Sequence, residues 1–186
     1  MKIQAFFLIV LLSLALSGCG SDASAPTENA TETGIEQTTP AEAEATEVID
    51  VADAEFSDAL IDKVFQNYLE LRTALVNSNA ATAADAAGNM ADTFTDEREE
   101  LRTLATQIAE AEELDIQRTY FAALTTEMER FFEDALSSGT IYKLHCPMAF
   151  DGEGADWYSE VSEIRNPYFG DKMLTCGRVE EEITGG

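Results

Sequence analysis

The sequence is poor in positive charge and in the side chains that build most catalytic and metal centres. It holds 11 Lys and Arg against 36 Asp and Glu, which gives a formal net charge of −25 at pH 7. It has one His and three Cys among 186 residues. Nucleic-acid binding depends largely on cations that neutralise phosphates, and docking on anionic lipid headgroups needs a basic face. The composition therefore argues against both partners, and we expect no binding to nucleic acid.

The sequence also lacks the signatures of common enzyme families. There is no P-loop, no H-E-x-x-H, no G-x-S-x-G and no dinucleotide-binding fingerprint. We therefore predict that the protein is not an enzyme. Hydrophobic residues make up 45% of the chain, which is enough for a core, and the length suits one domain with flanking segments.

The first eighteen residues predict a signal peptide. Lys2 supplies a positive charge, and the apolar run over residues 5–16 is shorter than a helix that spans the membrane usually needs. The segment ends in Leu-Ser-Gly-Cys19, which resembles a bacterial lipobox, where the Cys is lipidated and the chain is cut before it. Gly20 follows the Cys, and the resemblance then implies the outer membrane of a Gram-negative bacterium, facing the periplasm. An ordinary secretory signal with a chance Cys is the alternative.

Residues 19–55 predict a lipidated Cys followed by a disordered acidic tether. Beyond Cys19 the segment has no Lys or Arg and is rich in Ala, Thr and Ser, with Pro26 and Pro40 as breakers. Low hydrophobicity with charge of one sign cannot offset the entropy lost on ordering.

Residues 56–139 carry apolar side chains at helical spacing. They predict helices over 57–76, 80–94 and 96–113, and a fourth from 115 to about 136. Short connections imply antiparallel neighbours, so the expected fold is mainly α, an up-down four-helix bundle with a small C-terminal irregular or β-hairpin cap. Met90 and Met128 fall at core spacing, and we expect them to pack rather than bind metal.

Residues 140–186 form the predicted cap. The segment 140–146 alternates like a strand, and a second strand is expected through residues 157–161. Arg118 and Arg165 are expected to pair with local carboxylates and to hold the cap on the bundle.

The cap contains the two cysteines that remain once Cys19 is lipidated. The periplasm is oxidising, so Cys146 and Cys176 are candidates for a disulfide. Such a bridge would close a loop of about thirty residues and stabilise the fold by roughly 3–4 kcal/mol.

The neighbours of these cysteines permit a metal site instead. The candidate ligands are Cys146, Met148, Met173 and Cys176, with His145 as a further candidate. Thiolates and thioethers suit Cu(I) or Ag(I). In an extended chain, Cys146 and Met148 would lie on the same side and His145 on the opposite side. A turn from Met173 to Cys176 would wrap an ion. The disulfide and the metal site both remain open from the residues alone.

A resemblance to a known family rests on the same segment. The string Cys146-Pro-Met148, and then Asn166-Pro-Tyr through Met173 to Cys176-Gly177, resembles a bacterial periplasmic domain of unknown function. That domain occurs fused to or beside CusB-type adaptor subunits of copper and silver efflux pumps. The resemblance extends over about residues 56–180.

The resemblance implies heavy-metal handling, with Cys146, Met148, Met173 and Cys176 as candidate ligands. We therefore expect a free-standing, membrane-tethered periplasmic protein that binds Cu(I) or Ag(I). Its expected partners are the membrane, through the lipid anchor, and components of an efflux system. The alternative is a disulfide-stapled helical interaction module with no metal role, in which the same residues are structural.

Overall fold

A computed structural model of the protein describes residues 53–186. The predicted signal peptide, Cys19 and the tether as far as residue 52 lie outside the described residues. The helices are α1 (Ala59–Val76), α2 (Ala80–Thr93), α3 (Glu99–Glu110) and α4 (Leu114–Ala135). The strands are β1 (Glu55–Phe56), β2 (Leu136–Ser138), β3 (Thr140–Cys146), β4 (Ala155–Ser159) and β5 (Arg178–Thr184). Within this part of the chain, no helix has the length and apolar character needed to cross a membrane.

Side-chain caps set the starts of the first two helices. The carboxylate of Asp58 accepts the backbone N–H of Leu60 at 2.8 Å, and the side chain of Asn79 does the same for Thr82 at 3.1 Å. Such caps satisfy N–H groups that lack partners within the helix. Helix α1 is therefore capped by Asp58, one residue after Ser57, which the sequence predicts as the cap.

The helices enclose a cluster of aromatic rings. Phe65 and Phe132 lie 5.0 Å apart between ring centroids, and Tyr68 and Phe121 lie 5.1 Å apart. Tyr158 of β4 joins the cluster, 5.4 Å from Phe132. The helices and the C-terminal sheet therefore share one core. Met90 and Met128 are fully buried, which confirms the expectation that they pack in the core.

The strands form two antiparallel sheets. Strand β1 pairs with β2, and the second sheet has the order β4-β3-β5. The edge strand β4 meets the helices through buried polar groups. The backbone N–H of Tyr158 donates to the Tyr68 hydroxyl at 3.1 Å, and Arg72 of α1 donates to the Ser159 hydroxyl. Arg72 also pairs with Glu160, just after β4, at 3.0 Å. These contacts fix the sheet to the helical core.

The predicted fold class is wrong. Instead of a mainly α four-helix bundle with a small cap, the chain forms a helical core with a substantial β-sheet region, including a three-stranded sheet whose residues complete the core. Strand β5 could not be predicted from the sequence, because it contains three consecutive glutamates and all its side chains except Ile183 are exposed. Strands β1 and β2 are too short to show a pattern, and β1 includes Glu55, which we assigned to the tether.

Candidate functional site at the cysteine pair

Two cysteines come into contact at the end of the three-stranded sheet. Cys146 is the last residue of β3, and Cys176 lies just before β5. Because β3 and β5 are antiparallel, with His145 opposite Arg178, the start of β5 lies beside the end of β3. The two Sγ atoms are 3.9 Å apart and both cysteines are free. The pairing of β3 with β5 thus brings together two cysteines that are 30 residues apart in the sequence.

The two cysteines differ in their exposure to solvent. Cys146 is fully buried and Cys176 is half-buried. Desolvation raises the pKa of Cys176 above its ordinary value, and the neighbouring Cys146 thiol raises it further. The thiolate is the reactive form of Cys, so this environment does not activate Cys176 as a nucleophile at neutral pH.

A buried asparagine shapes the loop that carries Cys176. The Asn166 side chain donates to the Cys176 carbonyl at 2.7 Å and accepts the backbone N–H of Tyr168 at 2.8 Å. The backbone N–H of Asn166 donates to the Leu174 carbonyl at 2.8 Å. Sequence reasoning treated Asn166-Pro167 only as a loop signal, and it missed this role. An Asn in front of Pro, in a loop rich in aromatic residues, was the available clue.

The glycine after Cys176 lets the loop approach the sheet closely. Gly177 has φ +153°, and a Cβ there would lie 2.9 Å from both the His145 carbonyl oxygen and the Trp157 ring. A larger residue would push the loop, and Cys176 with it, away from β3.

His145 contacts a carboxylate rather than the thiols. Its Nδ1 lies 2.6 Å from Oδ1 of Asp156, the residue opposite it on β4. Lys143 lies 3.8 Å from the same carboxylate and also pairs with Glu129 of α4. Successive strand residues point to opposite faces, so the imidazole and the Cys146 side chain are on different faces of the sheet.

The two candidate methionines lie together, but in a different feature. The chain turns at Pro147–Met148, so the extended geometry that would place Met148 beside Cys146 does not occur. Met148 is 54% exposed. Met148 and Met173 both line an open pocket of about 660 Å³, and neither cysteine is among its lining residues. The predicted turn from Met173 to Cys176 is present, with a 3.1 Å hydrogen bond from the Cys176 N–H to the Met173 carbonyl.

The structure thus brings the two cysteines together, places the two methionines along one neighbouring pocket, and separates His145 from both. Within residues 53–186, no group of three or more His, Cys, Asp and Glu side chains is arranged to hold a metal ion. A metal at the cysteine pair would therefore rest on two thiolates and on a donor of another kind.

One of the two predicted anchoring arginines holds the C-terminal loop, which is the segment 160–177 between β4 and β5. Arg118 is buried in α4, and its Nε donates to the Pro167 carbonyl at 2.8 Å. Its Nη2 donates to the Leu75 carbonyl at 3.3 Å. Arg165, by contrast, is half exposed and pairs with Glu163 at 3.5 Å on the surface. An ion pair in such a position contributes little to the stability of the fold.

Comparison with known proteins identifies a domain in the helical part. Residues 64–139 match the family described as "Protein of unknown function (DUF3347)". The match runs from within α1 through β2, and it ends before β3 and both cysteines. No curated protein and no solved structure matches the chain.

Proposed function

We propose that the protein binds a soft monovalent metal ion, Cu(I) or Ag(I), through Cys146 and Cys176. The observation that carries this proposal is the 3.9 Å separation of their Sγ atoms. With a metal–thiolate distance of about 2.3 Å, taken from zinc sites, two such sulfurs subtend an angle of about 116° at a shared ion. That angle is close to the one in a trigonal, three-coordinate site, whereas a two-coordinate Cu(I) or Ag(I) ion prefers a nearly linear arrangement. Thiolate ligands favour Cu(I), and few protein ligands are needed.

Zinc suits the same residues less well. Structural zinc sites are closed, four-coordinate sets of Cys and His. Here only two thiols meet, and the one His contacts Asp156 on the other face of the sheet. Met173 is the first candidate for a third ligand, because the turn links it to Cys176. Met148 is the second candidate, since its exposed side chain is free to move. His145 is the last, because it would have to leave Asp156.

The proposal includes a position in the cell envelope. The lipobox-like sequence supports cleavage before Cys19, lipidation of that residue, and anchoring to the periplasmic face of the outer membrane. Several acyl chains at about 0.8 kcal/mol per buried CH₂ make such an anchor durable. Efflux-system components are the proposed protein partners, on the resemblance of the cap alone. Mass spectrometry of the mature chain tests the anchor: an N-terminus other than a lipidated Cys19 would contradict it.

The same contact supports a second function. Two sulfurs 3.9 Å apart need to approach by only about 1.9 Å to reach disulfide bonding distance. A permanent Cys146–Cys176 bridge would staple the C-terminal loop to β3. The protein would then be an interaction module that recruits an envelope partner, and its cysteines and methionines would have no metal role.

A competition titration separates the two functions. Reduced protein is titrated with Cu(I) against a chelator of known affinity, beside a Cys146→Ser/Cys176→Ser double variant and a Met128→Leu control in the core. We expect one tightly bound Cu(I) in the wild type and the control, and an affinity loss beyond about 100-fold in the double variant, because outer-shell changes alone cost up to that much. Equal affinities, with a quantitative disulfide in native protein, would leave only the interaction module.

A further inference from the structure

Two arginines are buried among residues 53–186, and only Arg72 has a carboxylate partner that is itself largely shielded from solvent. Nη1 of Arg72 lies 3.0 Å from the Glu160 carboxylate, and the two side chains are 7% and 17% exposed. The side chain of Arg118 is equally buried, at 6% exposed, but its ion-pair partner among the described residues is Asp115, 3.4 Å away and 90% exposed. A charge held away from water without a close counterion is costly.

Arg118 lies in the wall of the 660 Å³ pocket that also contains both methionines. Most of the remaining wall is apolar or aromatic, formed by Met148, Ala149, Phe150, Tyr168, Phe169 and Met173. Small-molecule sites typically combine such a wall with a few fixed polar groups, and this volume is in their usual range.

We propose that this pocket binds a small amphiphile that has one carboxylate and an apolar body. The carboxylate replaces that of Asp115 at Nη1 of Arg118, and the apolar body lies against the methionines and aromatic rings. One carboxylate replaces another in this exchange, so the kind of group that contacts Nη1 does not change. The proposal does not depend on metal binding at the cysteines.

The arginine is held ready for such a ligand. Its Nε is fixed by the Pro167 carbonyl, and its Nη2 by the Leu75 carbonyl and the Ser78 hydroxyl at 3.1 Å. Only Nη1 faces a partner that can swing into solvent at little cost. A donor that is already oriented loses little freedom when the ligand binds. Desolvation also lowers the pKa of Arg118, which agrees with a cation that lacks full compensation.

Two further features of the wall point to a binding role. Phe150 and Asp151 are consecutive non-glycine residues with φ of 50° and 58°, a backbone conformation that costs free energy and often occurs at functional sites. Met148, an apolar residue, is more than half exposed to solvent. An apolar ligand would cover that surface.

The acidic surroundings limit the affinity and make it depend on salt. Asp115 and Asp151 both line the pocket, and the whole chain carries a net charge of −25. These charges repel an anion over a distance, and salt screens them more strongly than it screens the buried contact with Arg118. Binding of a carboxylate should therefore tighten as salt is added.

Three ligands of matched chain length test the proposal: octanoate, octanol and octylammonium. Each is titrated into protein labelled at the methionine methyl groups and followed by NMR. We expect octanoate to shift the signals of Met148 and Met173 with the tightest saturation, octanol to bind more weakly, and octylammonium to be weakest. The signals of Met90 and Met128 in the core are the internal reference.

Two substitutions that change the charge beside the pocket in opposite directions test the proposal further. Asp115→Asn removes the competing carboxylate and should tighten octanoate binding about threefold, the size expected for a surface ion pair, without affecting octanol. Thr119→Glu adds a carboxylate to the exposed rim and should weaken octanoate binding. Asp85→Asn, which makes the same charge change on an exposed part of α2, should have little effect. Equal affinities for octanoate and octanol, or no response to Asp115→Asn, would overturn the proposal.

Discussion

The Sγ atoms of Cys146 and Cys176 are in contact at 3.9 Å, although 30 residues separate them in the sequence. Cys146 is fixed by β3, and Cys176 by the Asn166 loop and the start of β5. Protons, an oxidant and a soft metal ion would all compete for the same two sulfurs. The redox and acid–base behaviour of this pair should therefore control any binding there.

Oxidation should form a disulfide within one chain and stabilise the fold. On the loop-entropy model, a bridge over this separation adds about 3–4 kcal/mol to the free energy of unfolding. Urea unfolding of oxidised and reduced protein measures the difference, with Cys176→Ser as the control in which oxidation should have no such effect. Formation of disulfide-linked dimers instead would show that the two thiols do not meet in solution.

Affinity for Cu(I) should fall as the pH is lowered. Burial and Cys146 raise the pKa of the Cys176 thiol, so this thiol is protonated at neutral pH and must release its proton when metal binds. Below the raised pKa, each displaced proton costs up to about tenfold in affinity per pH unit. Titrations between about pH 8 and pH 6 should show this slope, and it should disappear in the double serine variant. A flat profile would mean that metal binds without thiolates.

Asn166→Ala should loosen the loop that positions Cys176. The substitution leaves the Cys176 carbonyl and the buried Tyr168 N–H without their partners, which should cost about 2–3 kcal/mol of stability. Asn89→Ala, at an exposed position of α2, is the matched control. Urea unfolding measures the stability, and the rate at which a thiol reagent modifies Cys176 measures the loosening. If both variants behave alike, Asn166 does not hold the loop.

Glu160→Gln should weaken the junction between α1 and the sheet. It leaves the charge of Arg72 buried without a counterion, and we expect a loss of about 3 kcal/mol. The control is Asp96→Asn, which removes the carboxylate that pairs with Arg102 at 2.8 Å on the surface and should cost less than about 1 kcal/mol. The two variants are compared by urea unfolding, and similar losses would show that the Arg72–Glu160 pair is not a buried anchor.

The helices could be predicted from the sequence because each has a clear apolar periodicity. Leu71, Ile108 and Leu124 fall at the expected spacing and are buried. Strand β5 could not be predicted in this way, because its acidic residues resemble a solvated tail. They form a strand only because they pair with β3. The size of the sheet region, and therefore the fold class, depended on that strand.

The candidate site could be predicted only in part. Sequence chemistry singled out Cys146 and Cys176, but their distance depends on the pairing of β3 with β5, which local patterns do not contain. Met148 was placed beside Cys146 by assuming an extended chain, whereas the chain turns at Pro147. The role of Arg118 in the pocket depends on contacts with α1 and the C-terminal loop, which no spacing in the sequence reveals.

The central claim is that Cys146 and Cys176 together hold one soft metal ion. X-ray absorption spectroscopy of the reduced protein loaded with one equivalent of Cu(I) tests it most directly. We predict a copper shell that contains at least two sulfur atoms at about 2.3 Å, and loss of those sulfurs in the Cys146→Ser/Cys176→Ser variant. A shell made only of nitrogen and oxygen atoms, or the same sulfur shell in the double variant, would contradict the claim.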